Sequence, residues 1–299
     1  MVVKSADYAI KYATELAQGL RLPKYVIGFL VVAIISILPE TFISINSALQ
    51  GFPAFGLGTL FGSNVADLTL VFAIIVFSTT NGIKVGSKIL ENNKWYPFLL
   101  TLPIIVGFDG YYSRLEGAFL IITGLYFYYW IFKKNNNHNN SAPAQNENCH
   151  PYQNLFYLIL SMAVLLFGAH LTVKYGGAFA ESIGLNPILI GILIVGLGTT
   201  LPELLFSLKA LKQKGDSLAL GDILGTVISD ATIVVGILAL INPFYFPQKI
   251  VYLTAMFMVT ASLILFIFLR SGKTLTKKEG VYLFIFYLIF VVTEFLMNK

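Results

Sequence analysis

Residues 28–67 recur, altered but in register, at 191–230. The first copy reads Gly28-Phe-Leu-Val-Val-Ala-Ile-Ile-Ser-Ile-Leu-Pro-Glu40, then Gly58-Thr-Leu-Phe-Gly62-Ser-Asn-Val-Ala-Asp67. The second reads Gly191-Ile-Leu-Ile-Val-Gly-Leu-Gly-Thr-Thr-Leu-Pro-Glu203, then Gly221-Asp-Ile-Leu-Gly225-Thr-Val-Ile-Ser-Asp230. Glu40 and Glu203, Gly58 and Gly221, and Asp67 and Asp230 are each 163 positions apart. The same offset pairs Lys11 with Lys174, Thr69 with Thr232, and Glu116-Gly117 with Glu279-Gly280. A register held over that distance without a net gap is a duplicated architecture. Each copy sets two carboxylates inside apolar text, which is where function is to be sought.

The surrounding chain is 57% hydrophobic and 12% charged, with a mean hydropathy of +0.77. Soluble domains carry about a quarter charged residues, so this composition places the chain in a lipid bilayer. Apolar runs fall at 24–50, 54–80, 95–109, 113–132, 154–182, 186–212, 217–242, 246–270 and 279–298. With the more polar stretch 1–19, which the offset pairs with the end of run 154–182, the count is ten spans, five per half. Met1 corresponds to Val164, leaving about nine residues equivalent to 155–163 without a partner. The reading preferred here is a chain start upstream; the other is a short first helix.

An odd number of spans per half turns the second half over relative to the first, giving an inverted repeat. The expected fold is an all-α polytopic membrane protein of ten transmembrane helices in two inverted five-helix repeats. The first repeat is expected over 1–132, with its motif at 28–70. A linker follows over 133–153, then the second repeat over 154–299 with its motif at 191–233. Arg21, Lys24, Lys84, Lys88, Lys94, Lys133, Lys134, Lys209, Lys212, Lys214, Arg270, Lys273, Lys277 and Lys278 fall on one predicted side. Only Arg114, Lys249 and Lys299 fall on the other. Cytoplasmic connections carry the excess of Lys and Arg, so the linker is expected in the cytoplasm and both termini outside, in the cell membrane. The net charge of +5 thus reflects topology and not nucleic-acid binding. Asn-rich and polar, the linker reads as a tether, and His138, Cys149 and His150 as solvated residues rather than a metal site. The single cysteine excludes an internal disulfide.

Pro39 and Pro202 lack an N–H and clash with the carbonyl four residues back, so each breaks its helix and frees carbonyls at Ile35 and Ser36 or at Gly198 and Thr199. Free carbonyls at membrane depth must line a cavity or bind something. Glu40 or Glu203 follows at once. Carboxylates with carbonyls and hydroxyls are the ligand set of a hard cation, above all Ca2+. Gly58-x-x-x-Gly62 and Gly221-x-x-x-Gly225 allow close helix approach, and four-residue steps add Ser63 and Asp67, or Thr226 and Asp230, to the same faces. Each face presses a hydroxyl and a carboxylate against the broken helix carrying Glu40 or Glu203. Asp222, whose counterpart is Thr59, fits an interfacial acid and an entrance site equally well.

At these residues the sequence resembles the cation/calcium exchanger superfamily, in particular its sodium/calcium exchanger branch. The family's Gly-Thr-Ser-Leu-Pro-Glu stands as Gly198-Thr-Thr-Leu-Pro-Glu203 and as Ile35-Ser-Ile-Leu-Pro-Glu40. Its Gly-Asn-x-x-Gly-Ser-Asn stands as Gly58-Thr-Leu-Phe-Gly-Ser-Asn64 and Gly221-Asp-Ile-Leu-Gly-Thr-Val227. The resemblance implies that Glu40 and Glu203 bind Ca2+ with the carbonyls of Ser36 and Thr199. It implies Na+ ligands drawn from those glutamates with Ser63, Asp67, Thr199, Thr200, Thr226 and Asp230. Two departures stand out: Ile37 replaces a usual hydroxyl, which puts one Na+ site in doubt, and Asp67 replaces a frequent Asn. Four acids and one Ca2+ leave a residual charge of −2, to be met by K+, Na+ or protons.

The expected function is a secondary antiporter exchanging Ca2+ for Na+ by alternating access, acting as a monomer, with no cofactor beyond the transported ions. A Ca2+/H+ or K+-linked antiporter of the same fold is the alternative, and a cation channel is the reading from another class. No phosphate loop, His-Glu-x-x-His pattern or nucleophile–base motif is present, so no enzyme activity is expected.

Overall fold

A computed structural model of the chain describes residues 2–20, 24–85, 95–136, 151–182, 190–271 and 274–297. Among the described residues, ten helical rods follow in order. They are α1 (Val2–Gly19), α2 (Tyr25–Leu49), α3 (Pro53–Phe77), α4 (Tyr96–Val106), α5 (Arg114–Asn136), α6 (Pro151–Ser182), α7 (Ile190–Lys212), α8 (Asp216–Ile241), α9 (Gln248–Ser271) and α10 (Lys277–Met297). Seven of them, α2, α3, α5 and α7 to α10, are long and apolar enough to cross a membrane, and α4 is a shorter apolar helix. The chain is therefore an all-helical, multi-pass membrane protein.

Burial is inverted relative to a water-soluble protein. Ile122, Leu125 and Tyr126 on α5 and Ile285, Leu288, Ile289 and Val292 on α10 are exposed, whereas serines, threonines and acids on α2, α3, α7 and α8 are fully buried. Lipid solvates the first group and cannot solvate the second.

The 163-residue offset reappears as geometry. Ser113 and Glu116 form a capping box at the start of α5, the Ser113 N–H donating to Glu116 Oε2 at 2.7 Å. Thr276 and Glu279, one offset later, form the same box at the start of α10, again at 2.7 Å. The repeated Glu-Gly is thus a helix start. Gly51 (φ 83°) and Lys214 (φ 57°), also offset-related, both take the left-handed backbone that turns α2 into α3 and α7 into α8. Strands β1 (Ile83–Lys84), β2 (Tyr111–Tyr112), β3 (Phe244–Tyr245) and β4 (Thr274–Leu275) form two antiparallel ribbons. Ile83 pairs with Leu275 and Tyr111 with Tyr245. Because β2 maps onto β4 under the offset, the ribbons exchange roles, and they sit at opposite ends of α4 and of α9.

Helix α1 packs along α6, with Tyr12 stacked on Tyr157 at 5.0 Å. The expected linker narrows at both ends, because α5 runs on to Asn136 and α6 already begins at Pro151. His138, Cys149 and His150 lie outside the described residues.

Candidate functional site

In α2 the helix stops at Ser36, Ile37 sits at φ −71°, ψ −1°, and a new helix starts at Leu38 with Pro39 and Glu40 in its first turn. In α7 it stops at Thr199, Thr200 sits at φ −74°, ψ −4°, and Leu201 restarts it with Pro202 and Glu203. Proline imposes both breaks, as the sequence predicts. Each break is approached through a wider π-helical turn, Gly28–Val32 or Ile190–Val195. Asp67 and Asp230 each open another, over Asp67–Val71 and Asp230–Val234. Such turns shift side chains out of α-helical register and cluster at functional sites.

The glycine faces work across the repeats. A Cβ on Gly62 of α3 would lie 2.4 Å from the Ile192 carbonyl of α7, and one on Gly225 of α8 would lie 2.6 Å from the Phe29 carbonyl of α2. Gly221 faces the Tyr25 carbonyl at 2.3 Å in the same sense. Phe29 and Ile192 are themselves offset-related, so the two contacts are one contact used twice. The glycine face of α3, which carries Asp67, thereby lies against the broken helix of the second repeat, and that of α8, which carries Asp222 and Asp230, against that of the first.

Glu40, Asp67, Glu203, Asp222 and Asp230 are all fully buried. Glu203 lies within electrostatic reach of Glu40, Asp67 and Asp222, and Asp230 within reach of Glu40 and Asp67. Among the described residues, neither carboxyl oxygen of Glu40, Asp67 or Glu203 has a hydrogen-bond partner, nor has Asp222 Oδ2 or Asp230 Oδ1. Among the described residues none of the five is ion-paired. Isolated buried carboxylates cost several kcal/mol each, about as much as a protein interior tolerates, so this arrangement calls for cations or protons. Among the described residues no three Asp, Glu, His or Cys side chains converge closely enough to ligate a metal unaided. A cation held here must also draw on neutral oxygens.

Those oxygens are close by. Thr199 stands beside Glu40 while its hydroxyl donates to the Gly196 carbonyl at 3.0 Å. Thr200 Oγ1 turns back to the Leu197 carbonyl at 3.0 Å. Ser63 Oγ donates to the Leu60 carbonyl at 3.0 Å and reaches Asp230 Oδ2, across the repeats, at 3.5 Å. Its counterpart Thr226 has a buried hydroxyl without a partner among the described residues. Ser36 Oγ donates to Asp222 Oδ1 at 3.0 Å.

Glu40, Glu203, Asp67, Asp230, Ser36, Ser63, Thr199, Thr200 and Thr226 are thus all buried on the four central helices. Asp222, for which the sequence left an interfacial acid and an entrance site equally open, is fully buried and within electrostatic reach of Asp67. Sequence reasoning passed over Ser44 and Ser207, buried hydroxyls one turn beyond each glutamate that have no partner among the described residues. They are 163 positions apart, so the offset that paired the acids would have paired them too. It also missed Tyr96, whose buried hydroxyl, without a partner among the described residues, comes within electrostatic reach of Asp67 and Asp230. Nothing in its local sequence marks it.

The family model described as sodium/calcium exchanger protein matches residues 1–133 and 153–296. Sodium/calcium exchanger MaX1 of Methanosarcina acetivorans is 26% identical, over 98% of this chain and 95% of its own length. Inner membrane protein YrbG of Escherichia coli is 25% identical over 81% of this chain and 77% of its own. A solved structure of the sodium-calcium exchanger NCX_Mj, soaked with 100 mM Na+ and 10 mM Sr2+, superposes with a TM-score of 0.82 at 24% identity. That match covers 97% of this chain and 94% of the other, and it bears on the fold.

Proposed function

Since the chain belongs to the sodium/calcium exchanger protein family, we propose that it is an antiporter exchanging Ca2+ for Na+ by alternating access. The observation that carries this reading is the set of five fully buried acids, drawn from both repeats and, among the described residues, without ion pairs. Glu40 and Glu203 sit at the two helix breaks and would hold Ca2+ with the carbonyls of Ser36 and Thr199. Ser63, Asp67, Thr199, Thr200, Thr226 and Asp230 would complete the Na+ ligands with the same glutamates. Ca2+ takes six to eight oxygens, about twice what two carboxylates offer, hence the need for the broken backbone.

The exchanged capping boxes and ribbons support ten spans in two inverted repeats. In that topology the linker is cytoplasmic and the termini are outside, in the cell membrane. Exchange then amounts to rocking of α2 and α7 against α3 and α8, exposing the site to one side at a time. The chain would act as a monomer, since both halves of the site come from one polypeptide.

A second reading, Ca2+/H+ exchange, is favoured by Ile37, which buries an apolar side chain where the second repeat has Thr200. A channel is less well supported, because none of the five acids reaches solvent. The test is Ca2+ uptake into proteoliposomes under imposed Na+, K+ or H+ gradients, with Glu203→Ala as control. Uptake driven by outward Na+ and abolished by the substitution is expected. Uptake indifferent to every gradient and to Glu203→Ala would falsify the antiporter reading.

A further inference from the structure

The hydroxyls at the two breaks are bonded differently. Ser36 Oγ donates across the repeats to Asp222 Oδ1 of α8 at 3.0 Å, and both residues are fully buried. Under the offset the equivalent pair is Thr199 and Thr59, which among the described residues do not bond each other, although Thr199 stands beside Glu40 of the first repeat. Thr199 donates to the Gly196 carbonyl and Thr59 to the Phe55 carbonyl, both at 3.0 Å. Below the Ser36 contact the backbones already touch, since a Cβ on Gly28 would lie 2.4 Å from the Leu218 carbonyl and 3.1 Å from the Asp222 nitrogen. The Ser36–Asp222 tie thus has no counterpart between Thr199 and Thr59.

The geometry points to Asp222 as a positioning residue of the cation site. It holds the Ser36 hydroxyl, fixes the break in α2 and so aims the freed Ser36 carbonyl, while Asp222 itself need not touch the ion. The tie depends on an acceptor oxygen, not on charge: the side-chain amide introduced by Asp222→Asn would keep it, and the methyl introduced by Asp222→Ala would not. This inference rests on the proposed reading of Ser36 as a backbone ligand.

The test is Ca2+ uptake in proteoliposomes by Ser36→Ala, Asp222→Ala, the double variant, Asp222→Asn and Ser36→Thr, with Glu203→Ala alongside. A lost hydrogen bond to a carboxylate predicts a rise of about tenfold or more in the KM for Ca2+ for each alanine variant, with the maximal rate kept. Because both substitutions remove one contact, the double variant should resemble either single one. Asp222→Asn and Ser36→Thr should each reverse most of the KM rise seen in the corresponding alanine variant, the hydrogen bond being retained. A merely structural role would lower the maximal rate through lost protein and leave KM unchanged. Asp222→Asn as impaired as Asp222→Ala, or additive effects in the double variant, would overturn the assignment. Wild-type KM in the alanine variants while Glu203→Ala abolishes uptake would overturn the tie alone. Uptake surviving Glu203→Ala would instead overturn the antiporter reading on which it rests.

Discussion

Adding one methyl group at Gly62 should disturb the site more than adding one at Gly58, a single turn away on the same helix face. At Gly62 the new carbon would lie 2.4 Å from the Ile192 carbonyl oxygen and 2.9 Å from the Ile192 Cα, both backbone atoms. Ordinary contact begins at 3.4 Å, about 1.0 Å further out, and backbone in a packed interior cannot step aside, so α3 and α7 must separate by roughly that amount. Overpacking of this kind costs about 1–3 kcal/mol. Ser63 follows directly, and its reach to Asp230 is already 3.5 Å, so the same shift takes it out of hydrogen-bonding range. Because α7 carries the proposed Ca2+ ligands Thr199 and Glu203, and ligand sites tolerate about 0.5 Å of misplacement, the shift predicts a fall in Ca2+ affinity of roughly tenfold to a hundredfold for Gly62→Ala. At Gly58 the methyl meets only the Ile192 side chain, at 3.3 and 3.9 Å, which can yield by a few tenths of an ångström. Thermal unfolding of the purified proteins and Ca2+-dependent uptake measure both effects. A Gly62→Ala protein with native affinity and melting temperature, or a Gly58→Ala protein equally damaged, refutes the reasoning.

Three further outcomes are expected. Protons compete with cations for the same carboxylates, so the Ca2+ concentration giving half-maximal uptake should fall as pH rises from mildly acidic to alkaline; a flat profile would count against carboxylate binding. Ile37→Thr restores at the first break the hydroxyl that Thr200 supplies at the second, and should lower the Na+ concentration needed for half-maximal exchange; an unchanged value would remove this position from the Na+ site. Tyr96→Phe deletes a buried hydroxyl that has no partner among the described residues, so it should stabilise the protein by about 1–3 kcal/mol, and a lower melting temperature would mean the hydroxyl is engaged.

The breaks, the four offset-related acids and the spans were legible in the sequence because proline, intramembrane charge and apolar run length each act locally. The offset also marked the capping boxes, though only as a repeated Glu-Gly. What it could not carry is which helix meets which. Equivalence of Gly62 and Gly225 says nothing about whether each faces its own repeat or the other, and the structure pairs them across. Asp222 stayed ambiguous because burial at a helix start depends on the neighbour, here Ser36 from 186 positions away. The two-residue ribbons were invisible, being too short for any alternation to register.

The central claim is that acids from the two repeats jointly hold a transported cation between the helix breaks. Anomalous diffraction from crystals soaked in Sr2+ tests it most directly. The account predicts one strong peak at about 2.3–2.6 Å from carboxylate oxygens of both Glu40 and Glu203, weakening as Na+ is raised. Peaks confined to surface loops, or a central peak touching only one of the two glutamates, would contradict it.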